Sequence, residues 1–199
     1  MDFTPVQTKG FTLIELLITL AIVGILTSLA APTFSSLKAK NTMASSVNLF
    51  LAQLHMARSS AVARERRITL CPTANTTDCS NDYRAWQGGY LIFDDANKNR
   101  QHDPEEEIIS YQEKANRQVK IFSSSAHRNR ITFLPLGRAW FSNTTIRFCY
   151  ATHPDLNRAI IISNNGRVRT RKKMADGGPI TSIMLHMSLA LPLSHNGLL

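Results

Sequence analysis

The sequence lacks the residue patterns that most enzyme classes need. It has no nucleophile-elbow motif, no phosphate-binding glycine loop, and no paired carboxylates at a spacing suited to acid–base chemistry. Its six histidines are scattered, and its three cysteines form no recognisable zinc pattern. No catalytic residue, cofactor or metal site is therefore predicted, and the chain is not expected to be an enzyme.

Charge is nearly absent from the first part of the chain. An apolar run begins at Phe11 and continues to Phe34, and its one charged residue is Glu15. A helix over the first 21 residues of this run would be about 30 Å long, which matches one bilayer core. We expect residues 11–34 to form a transmembrane helix. A carboxylate at the centre of such a span would cost about 2.5–3.5 kcal/mol, and less near its end, so Glu15 needs a specific role.

The start of this run resembles the processing site of type IV pilins and type II secretion pseudopilins. The matching residues are Lys9-Gly10-Phe11-Thr12-Leu13-Ile14-Glu15-Leu16. The resemblance implies that a prepilin peptidase removes residues 1–10 by cutting after Gly10, and that the new N-terminal residue, Phe11, is methylated. It also implies that residues 11–34 form the filament core and that Glu15 pairs with the N-terminal amine of a neighbouring subunit during assembly. The alternative is an ordinary signal peptide or signal anchor, but the leader lacks the basic segment that a secretory signal needs.

Residues 35–67 are predicted to form an amphipathic second half of the same helix. Apolar residues recur there at steps of three and four. They are Ala44, Val47, Leu51, Leu54, Ala57 and Ala61. Pro32 is expected to kink the helix, and the helix is expected to end near Arg66.

The rest of the chain is predicted to form a β-rich head over residues 68–173. Alternating or β-branched runs occupy 68–71, 89–93, 108–111, 119–122, 130–134, 145–150, 159–163 and 167–171. Asn164-Asn165-Gly166 predicts a hairpin between the last two runs. The expected fold class is α+β, with one long N-terminal helix packed on an antiparallel β-rich head. Residues 174–199 form a tail whose structure the pattern does not determine.

The cysteines predict one disulfide. Cys71 and Cys79 flank a turn-rich loop and should pair, because the expected anchor places the head outside the cytoplasm, where disulfides persist. Cys149 lies in a strand-like run and is expected to be buried rather than reactive.

Basic residues dominate the second half of the head. From residue 114 to 175 there are thirteen Lys or Arg residues and one acid, Asp155. After the turn at Gly166, which needs a positive φ, come Arg167, Arg169, Arg171, Lys172 and Lys173, a set that we call the basic arm. The three arginines should project from one face of a strand about 6.6–7 Å apart, near the phosphate spacing of a nucleic-acid strand. The arm predicts binding of DNA by its phosphates with little sequence specificity. The alternative is a charged edge strand that resists aggregation.

Further motifs are similar to the FimT/GspH family of minor pilins and minor pseudopilins. They are Phe93-Asp94-Asp95, Phe133-Leu134-Pro135-Leu136-Gly137 and Gly166-Arg167-Val168-Arg169. The resemblance implies a type IV pilin-like fold. In FimT-type members a Gly-Arg-x-Arg motif is implicated in DNA binding during natural transformation, and it corresponds here to Gly166, Arg167 and Arg169. Many relatives carry a cysteine after this motif, and its absence here leaves Cys149 without that partner.

Two weaker patterns have structural alternatives. Asp95, Asn97, Asn99 and Glu106 mimic a calcium loop, but Arg100 stands where such a loop needs glycine, so an acidic turn is the preferred interpretation.

The second weak pattern concerns aromatic and basic residues of the head. Trp86, Trp140 and Phe141 could stack on bases of single-stranded DNA, although packing in the protein is more common. Arg128, Arg130 and Arg138 could widen the basic surface.

These observations favour a minor pilin of a type IV pilus that captures DNA during natural transformation. The expected partners are DNA, other pilins, a prepilin peptidase and the inner membrane, with the head first in the periplasm and then on a surface pilus. One alternative is a structural minor pilin that primes assembly without binding DNA. Another is a minor pseudopilin of a type II secretion system that acts in protein export.

Overall fold

The computed structural model describes residues 10–113, 116–174 and 177–181, except for the side chains of residues 28–33 and 126. The predicted leader, apart from Gly10, and the tail beyond residue 181 lie outside these ranges. The chain divides into two units, Met1–Ala39 and Lys40–Leu199, and each is described by itself. The elements confirm an α+β fold. They are α1 (Leu13–Arg64), β1 (Ile68–Pro72), β2 (Tyr90–Asp94), β3 (Ile108–Gln112), β4 (Val119–Ser123), β5 (Ile131–Phe133), β6 (Thr144–Tyr150), β7 (Arg158–Ile162) and β8 (Val168–Arg171), with three short 3-10 helices between strands.

The first unit holds the start of α1. The Oγ1 atom of Thr12 accepts a hydrogen bond from the backbone N–H of Glu15 at 3.3 Å, which caps the helix. Thr12 and Glu15 have the spacing of a capping box, so Glu15 also suits the first turn of the helix. Pro32 lies inside α1, and the kink expected there stays a prediction. Within the part of the chain that the structure describes, no helix is long and apolar enough to cross a membrane. The membrane segment expected over residues 11–34 stays a prediction.

The second half of α1 buries Val47, Leu54, Ala57 and Ala61, as the sequence predicted, but two other predicted residues do not lie on the buried face. The buried helix residues are Ala39, Met43, Val47, Phe50, Leu54, Ala57 and Ala61. The predicted residue Ala44 is exposed and Leu51 is only half-buried, so Met43 and Phe50 replace them on the buried face. The reason is the size of Phe50, whose burial removes far more apolar surface from water than that of alanine.

The helix ends at Arg64, two residues before the predicted end. Glu65 adopts a left-handed φ of 54°, which stops the helix, and the N–H of Arg66 donates to the carbonyl of Ala61 at 3.2 Å. This bond is typical of a helix end that reverses through a left-handed residue, a position usually taken by glycine.

The strands form two antiparallel sheets of four, with orders β3-β2-β1-β5 and β4-β6-β7-β8. The eight predicted strands are confirmed with boundary shifts of at most one residue. Among the described residues, β8 is an edge strand of the second sheet and pairs only with β7. One side of β8 therefore has no neighbouring strand in the described part of the chain.

Phe50 joins the helix to both sheets. Its ring contacts Tyr90 of β2 and Phe148 of β6 at centroid distances of 5.1 and 5.6 Å, and Trp86 of the first 3-10 helix at 5.6 Å. All four rings are buried, and burial raises the pKa of Tyr90. The stacking role considered for Trp86 is therefore wrong, because its ring is 0% exposed.

The cysteine predictions are confirmed. Cys71 and Cys79 form a disulfide, and Cys149 is free and buried. Burial raises the pKa of the Cys149 thiol to about 11, so the reactive thiolate is scarce at neutral pH.

Candidate nucleic-acid interface

The turn between β7 and β8 is a tight hairpin loop closed by backbone bonds. The N–H of Gly166 donates to the carbonyl of Ser163 at 2.8 Å, and the N–H of Ser163 donates to the carbonyl of Arg167 at 3.0 Å. Gly166 has a φ of 76°, as the sequence predicted for this position. A turn followed by a left-handed glycine is a common three-residue hairpin loop. Gly166 thus sets the direction in which Arg167 leaves the turn.

Gly166 is also packed against two distant parts of the chain. A Cβ atom at this position would lie 2.0 Å from the carbonyl oxygen of Gly137. The guanidinium of Arg58, on α1, donates to the carbonyl of Gly166 at 3.1 Å. The N–H of Ala139 donates to the carbonyl of Asn164 at 3.0 Å. We call this meeting point of Arg58, Gly137 and Gly166 the junction.

The sequence did not predict the junction. Gly137 belongs to one of the motifs that carry the family resemblance, and the structure gives it a physical role as the surface on which Gly166 rests. Arg58 had no distinguishing signal, because it is one of several basic residues on an amphipathic helix. Both atoms of the Gly166 peptide that could bond a ligand already have protein partners, so the role of Gly166 here is to position the arm.

The basic arm lies on the edge strand and is open to solvent. Arg167, Arg169, Arg171, Lys172 and Lys173 are all exposed. In the described ranges none of them has a side-chain hydrogen bond or an ion pair, whereas Arg64 pairs with Glu107 at 2.6 Å and Arg66 with Asp94 at 3.2 Å. The five charges of the arm therefore have no acidic side chain offsetting them among the described residues.

Register places further residues beside the arm. Arg169 lies opposite Ile161, and Arg171 lies opposite Ala159, which in turn lies opposite Arg147 of β6. Residues directly opposite each other in antiparallel strands share a face, so Arg147 extends the row across the sheet. Arg147 is half-buried, and no sequence pattern distinguishes it from the other basic residues of the head.

The beginning of the predicted tail covers part of this same face. Met174 and Ile180 pack against a cluster of Phe122, Cys149 and Ala159. The side-chain amide of Asn157 donates to the carbonyl of Ile180 at 2.6 Å. Met174 and Ile180 of the tail are therefore packed on the sheet, next to the arm.

The three other arginines that were expected to widen the basic surface differ in their exposure and hydrogen bonding. Arg130 is 8% exposed and donates to the side-chain oxygens of Asn129 and Asn81. Burial, and then the charge of Arg100, lower its pKa. Arg128 donates to the backbone and side-chain oxygens of Asn143. The prediction for Arg130 is wrong because it is buried, whereas Arg138 is exposed.

The calcium-like sequence folds as a self-bonded acidic turn. The carboxylate of Asp103 accepts hydrogen bonds from the amides of Asn97 and Asn99 at 2.6 and 2.7 Å, which lower its pKa. Arg100 takes the left-handed conformation, with φ 64°, and donates to the carbonyl of Arg130 at 2.8 Å. The described residues contain no group of three His, Cys, Asp or Glu side chains that could hold a metal ion.

The predicted processing residues lie at the other end of the chain. Gly10 and Phe11 are exposed and precede the helix, and Glu15 is exposed in its first turn. They belong to the first unit, whereas the arm belongs to the second.

A long N-terminal helix with an acid in its first turn, followed by antiparallel sheets, defines a pilin-like protein. The family described as "Type II transport protein GspH" matches residues 46–166, and the prokaryotic N-terminal methylation motif matches residues 7–31. The chain belongs to the GspH family. It is thus a minor pilin or pseudopilin, and its family is structural rather than enzymatic. The methylation motif implies that it is made as a prepilin and processed.

Three known proteins are similar to this chain. The chain is 34% identical to the pilin-like protein PilA1 of Thermus thermophilus over 100 residues, which span 50% of this chain and 56% of that protein. The minor type IV pilin FimU of Pseudomonas aeruginosa has the same fold, with a TM-score of 0.52 and 22% identity over 66% of this chain and 89% of FimU. A weaker structural match, with a TM-score of 0.45 and 8% identity, is the minor pseudopilin EpsH of Vibrio cholerae, over 63% of this chain and 93% of EpsH.

Proposed function

We propose that this chain is a minor pilin of a type IV pilus that binds DNA through its basic arm and supports DNA uptake in natural transformation. The observation that carries the proposal is the exposed row of Arg167, Arg169 and Arg171 with no acidic partner among the described residues. Guanidinium groups donate forked hydrogen bonds that match phosphate oxygens. Because phosphates are common to all sequences, the arm should bind DNA with little sequence preference.

The geometry that supports the proposal is that of an edge strand whose preceding turn is held in place at the junction. Among the described residues the arm has no neighbouring strand on one side, which would let a DNA backbone approach it. The junction holds the turn against α1, which limits the freedom that binding would otherwise remove. Lys172 and Lys173 follow the strand and extend the positive charge.

A charge-removal experiment tests the arm. Full-length protein in a non-ionic detergent is titrated with a random-sequence duplex at two salt concentrations. The double variant Arg167→Gln/Arg169→Gln should bind every sequence more weakly, and the slope of log K against log salt should fall by about 2, since each phosphate contact contributes about 0.9.

The matched control removes two exposed arginines from the opposite edge of the same sheet. Arg84 and Arg117 lie near β4 and are exposed. The double variant Arg84→Gln/Arg117→Gln has the same net charge as the arm variant but should lose much less affinity and keep its salt slope. Equal losses of DNA affinity in the two variants would show that net charge alone accounts for the effect. Undiminished binding by the arm variant would show that the arm is not the DNA-binding site.

We also infer the processing and delivery steps. Cleavage after Gly10 by a prepilin peptidase, methylation of Phe11 and an assembly contact by Glu15 are supported by the methylation motif over residues 7–31 and by the exposure of all three residues. The apolar run over 11–34 would hold the chain in the inner membrane, with its head in the periplasm, before it joins other pilins in a surface filament. An intact mass that retains the leader in filaments would contradict this route.

The second candidate is a minor pseudopilin of a type II secretion system, which the description of the matching family favours. It requires no DNA affinity. A wild-type chain that fails to bind DNA at low salt, together with a secretion defect in a deletion strain, would favour this candidate.

A further inference from the structure

The connection between β5 and β6, residues 134–143, exposes three large apolar side chains close together in the sequence. We call this segment the tip loop. Leu136 is 82% exposed, Phe141 68% and Trp140 44%. Exposed large apolar groups in one loop are a common mark of a binding surface, because each gains free energy when a ligand removes it from water.

The two aromatic rings are held in a defined arrangement. The guanidinium of Arg67 lies 4.8 Å from the ring centroid of Trp140, and the Trp140 and Phe141 rings meet edge to face at 4.7 Å and 81°. The N–H of Trp140 donates to the carbonyl of Thr132 at 3.2 Å, which ties the loop to β5. Arg67 and Trp140 thus support the ring of Phe141, which remains the more exposed of the pair.

Phe141 also has a backbone conformation that is unfavourable for an aromatic residue. Its φ is 48°, in the left-handed region where bulky side chains are rare. For a residue with a bulky side chain such a conformation is less stable than the right-handed one. The chain keeps an aromatic residue here although the ring is mostly in water.

The tip loop adjoins the basic arm. The backbone bond from Ala139 to Asn164 and the close packing of Gly137 on Gly166 bring the loop to the root of the hairpin. Arg138 and Arg167 are exposed on the two segments that meet there. Aromatic rings next to cations suit a ligand that offers both flat bases and phosphates, and single-stranded nucleic acid has this composition.

We propose that the tip loop stacks on unpaired bases, with Phe141 as the main platform, so that the chain binds single-stranded DNA more tightly than duplex DNA of the same length. This inference rests on the proposed function, because the arm supplies the phosphate contacts. A duplex keeps its bases stacked on one another and offers the ring few flat surfaces. Single strands or frayed ends leave bases free to stack on Phe141.

The test replaces the ring without disturbing the loop. Asparagine tolerates the left-handed conformation, so Phe141→Asn should fold at least as well as the wild type. Leu136→Asn is the matched control: it makes the same apolar-to-amide change in the same loop but removes no ring. Binding of fluorescent thymidine 20-mers and of a 20-base-pair duplex is measured by anisotropy with full-length protein in a non-ionic detergent.

We expect Phe141→Asn to weaken single-strand binding by about 5- to 100-fold, the range that one base–aromatic stack supports. Duplex binding should change by less than about twofold, and Leu136→Asn should change neither by more than that amount. Equal loss on both DNA forms, or no loss on single strands, would overturn the proposal.

The outcomes separate this inference from the function on which it rests. Binding of neither DNA form by the wild type would overturn both proposals. Duplex binding that depends on Arg167 and Arg169, with unchanged single-strand binding in Phe141→Asn, would overturn only the stacking inference. If that variant instead lost self-association in sedimentation experiments, the tip loop would be assigned to contacts between subunits.

Discussion

The packing of Gly166 on Gly137 leads to a prediction that two glycines of the chain can test against each other. Gly166 and Gly177 have similar left-handed φ values, 76° and 81°. A Cβ at Gly166 would lie 2.0 Å from a backbone oxygen, whereas a Cβ at Gly177 would meet no described atom within 4 Å. Gly177→Ala thus measures the conformational cost alone, and Gly166→Ala measures that cost together with the overlap.

The magnitudes follow from these two terms. An alanine in the left-handed region costs about 1–2 kcal/mol, and this cost should appear in both variants. Forcing a methyl group into a packed site adds about 1–3 kcal/mol, and here the obstructing atom belongs to the backbone and cannot rotate away. We therefore expect Gly166→Ala to lower the free energy of unfolding by about 2–5 kcal/mol and Gly177→Ala by about 1–2 kcal/mol.

Urea unfolding of both variants, followed by tryptophan fluorescence, measures the difference directly. DNA binding by Gly166→Ala at a temperature where it is still folded gives a second measurement, since the shifted turn should displace Arg167. Equal destabilisation of the two variants would refute the reasoning, because it would mean that the Gly137 contact gives way without cost.

Two further predictions concern the core and the surface. Phe50→Ala should lower the free energy of unfolding by about 3–5 kcal/mol, because it empties the space between the helix and both sheets. Leu49→Ala, at a 42% exposed position, should lower it far less. Comparable losses of stability in urea unfolding would argue against Phe50 as the central core residue. The hydrogen-bonded ion pair with Arg64 lowers the pKa of Glu107 below its ordinary 4.5, so its contribution to stability is present above that pH and is lost as the pH falls through the lowered pKa. The stability difference between wild type and Glu107→Gln at pH 7 should therefore shrink in thermal unfolding as the pH falls below 4.5 and close once the pH is below the lowered pKa, and a difference that persists at still lower pH would contradict the assigned cause.

Sequence patterns predicted the elements better than their contacts. β-branched and alternating runs located all eight strands, because a strand half-buried in a sheet requires that local pattern. The face of α1 was harder to predict. Alanines occur on several faces of the helix, so periodicity alone admits more than one apolar stripe, and the aromatic contacts of Phe50 decide which stripe is buried.

In the candidate site, too, the local features could be predicted and the tertiary contacts could not. The charges of the basic arm and the positive φ of Gly166 could be predicted, because both depend on residues close in sequence. The junction could not, since Arg58, Gly137 and Gly166 come together only when the helix, the tip loop and the hairpin have packed. Burial of Trp86 and Arg130 likewise depends on the assembled core rather than on local pattern.

The cap formed by Thr12 has a consequence for the processed chain. If cleavage follows Gly10, as we propose, Phe11 would become the first residue, directly before the helix cap at Thr12. The positive α-amine of Phe11 would then lie beside the positive pole of the helix dipole, which repels it. Glu15, in the first turn, is the nearest acid in the sequence and offsets both positive charges. Replacing Glu15 would therefore leave a concentrated positive charge at the end of every subunit, quite apart from any contact that this carboxylate makes with a neighbour.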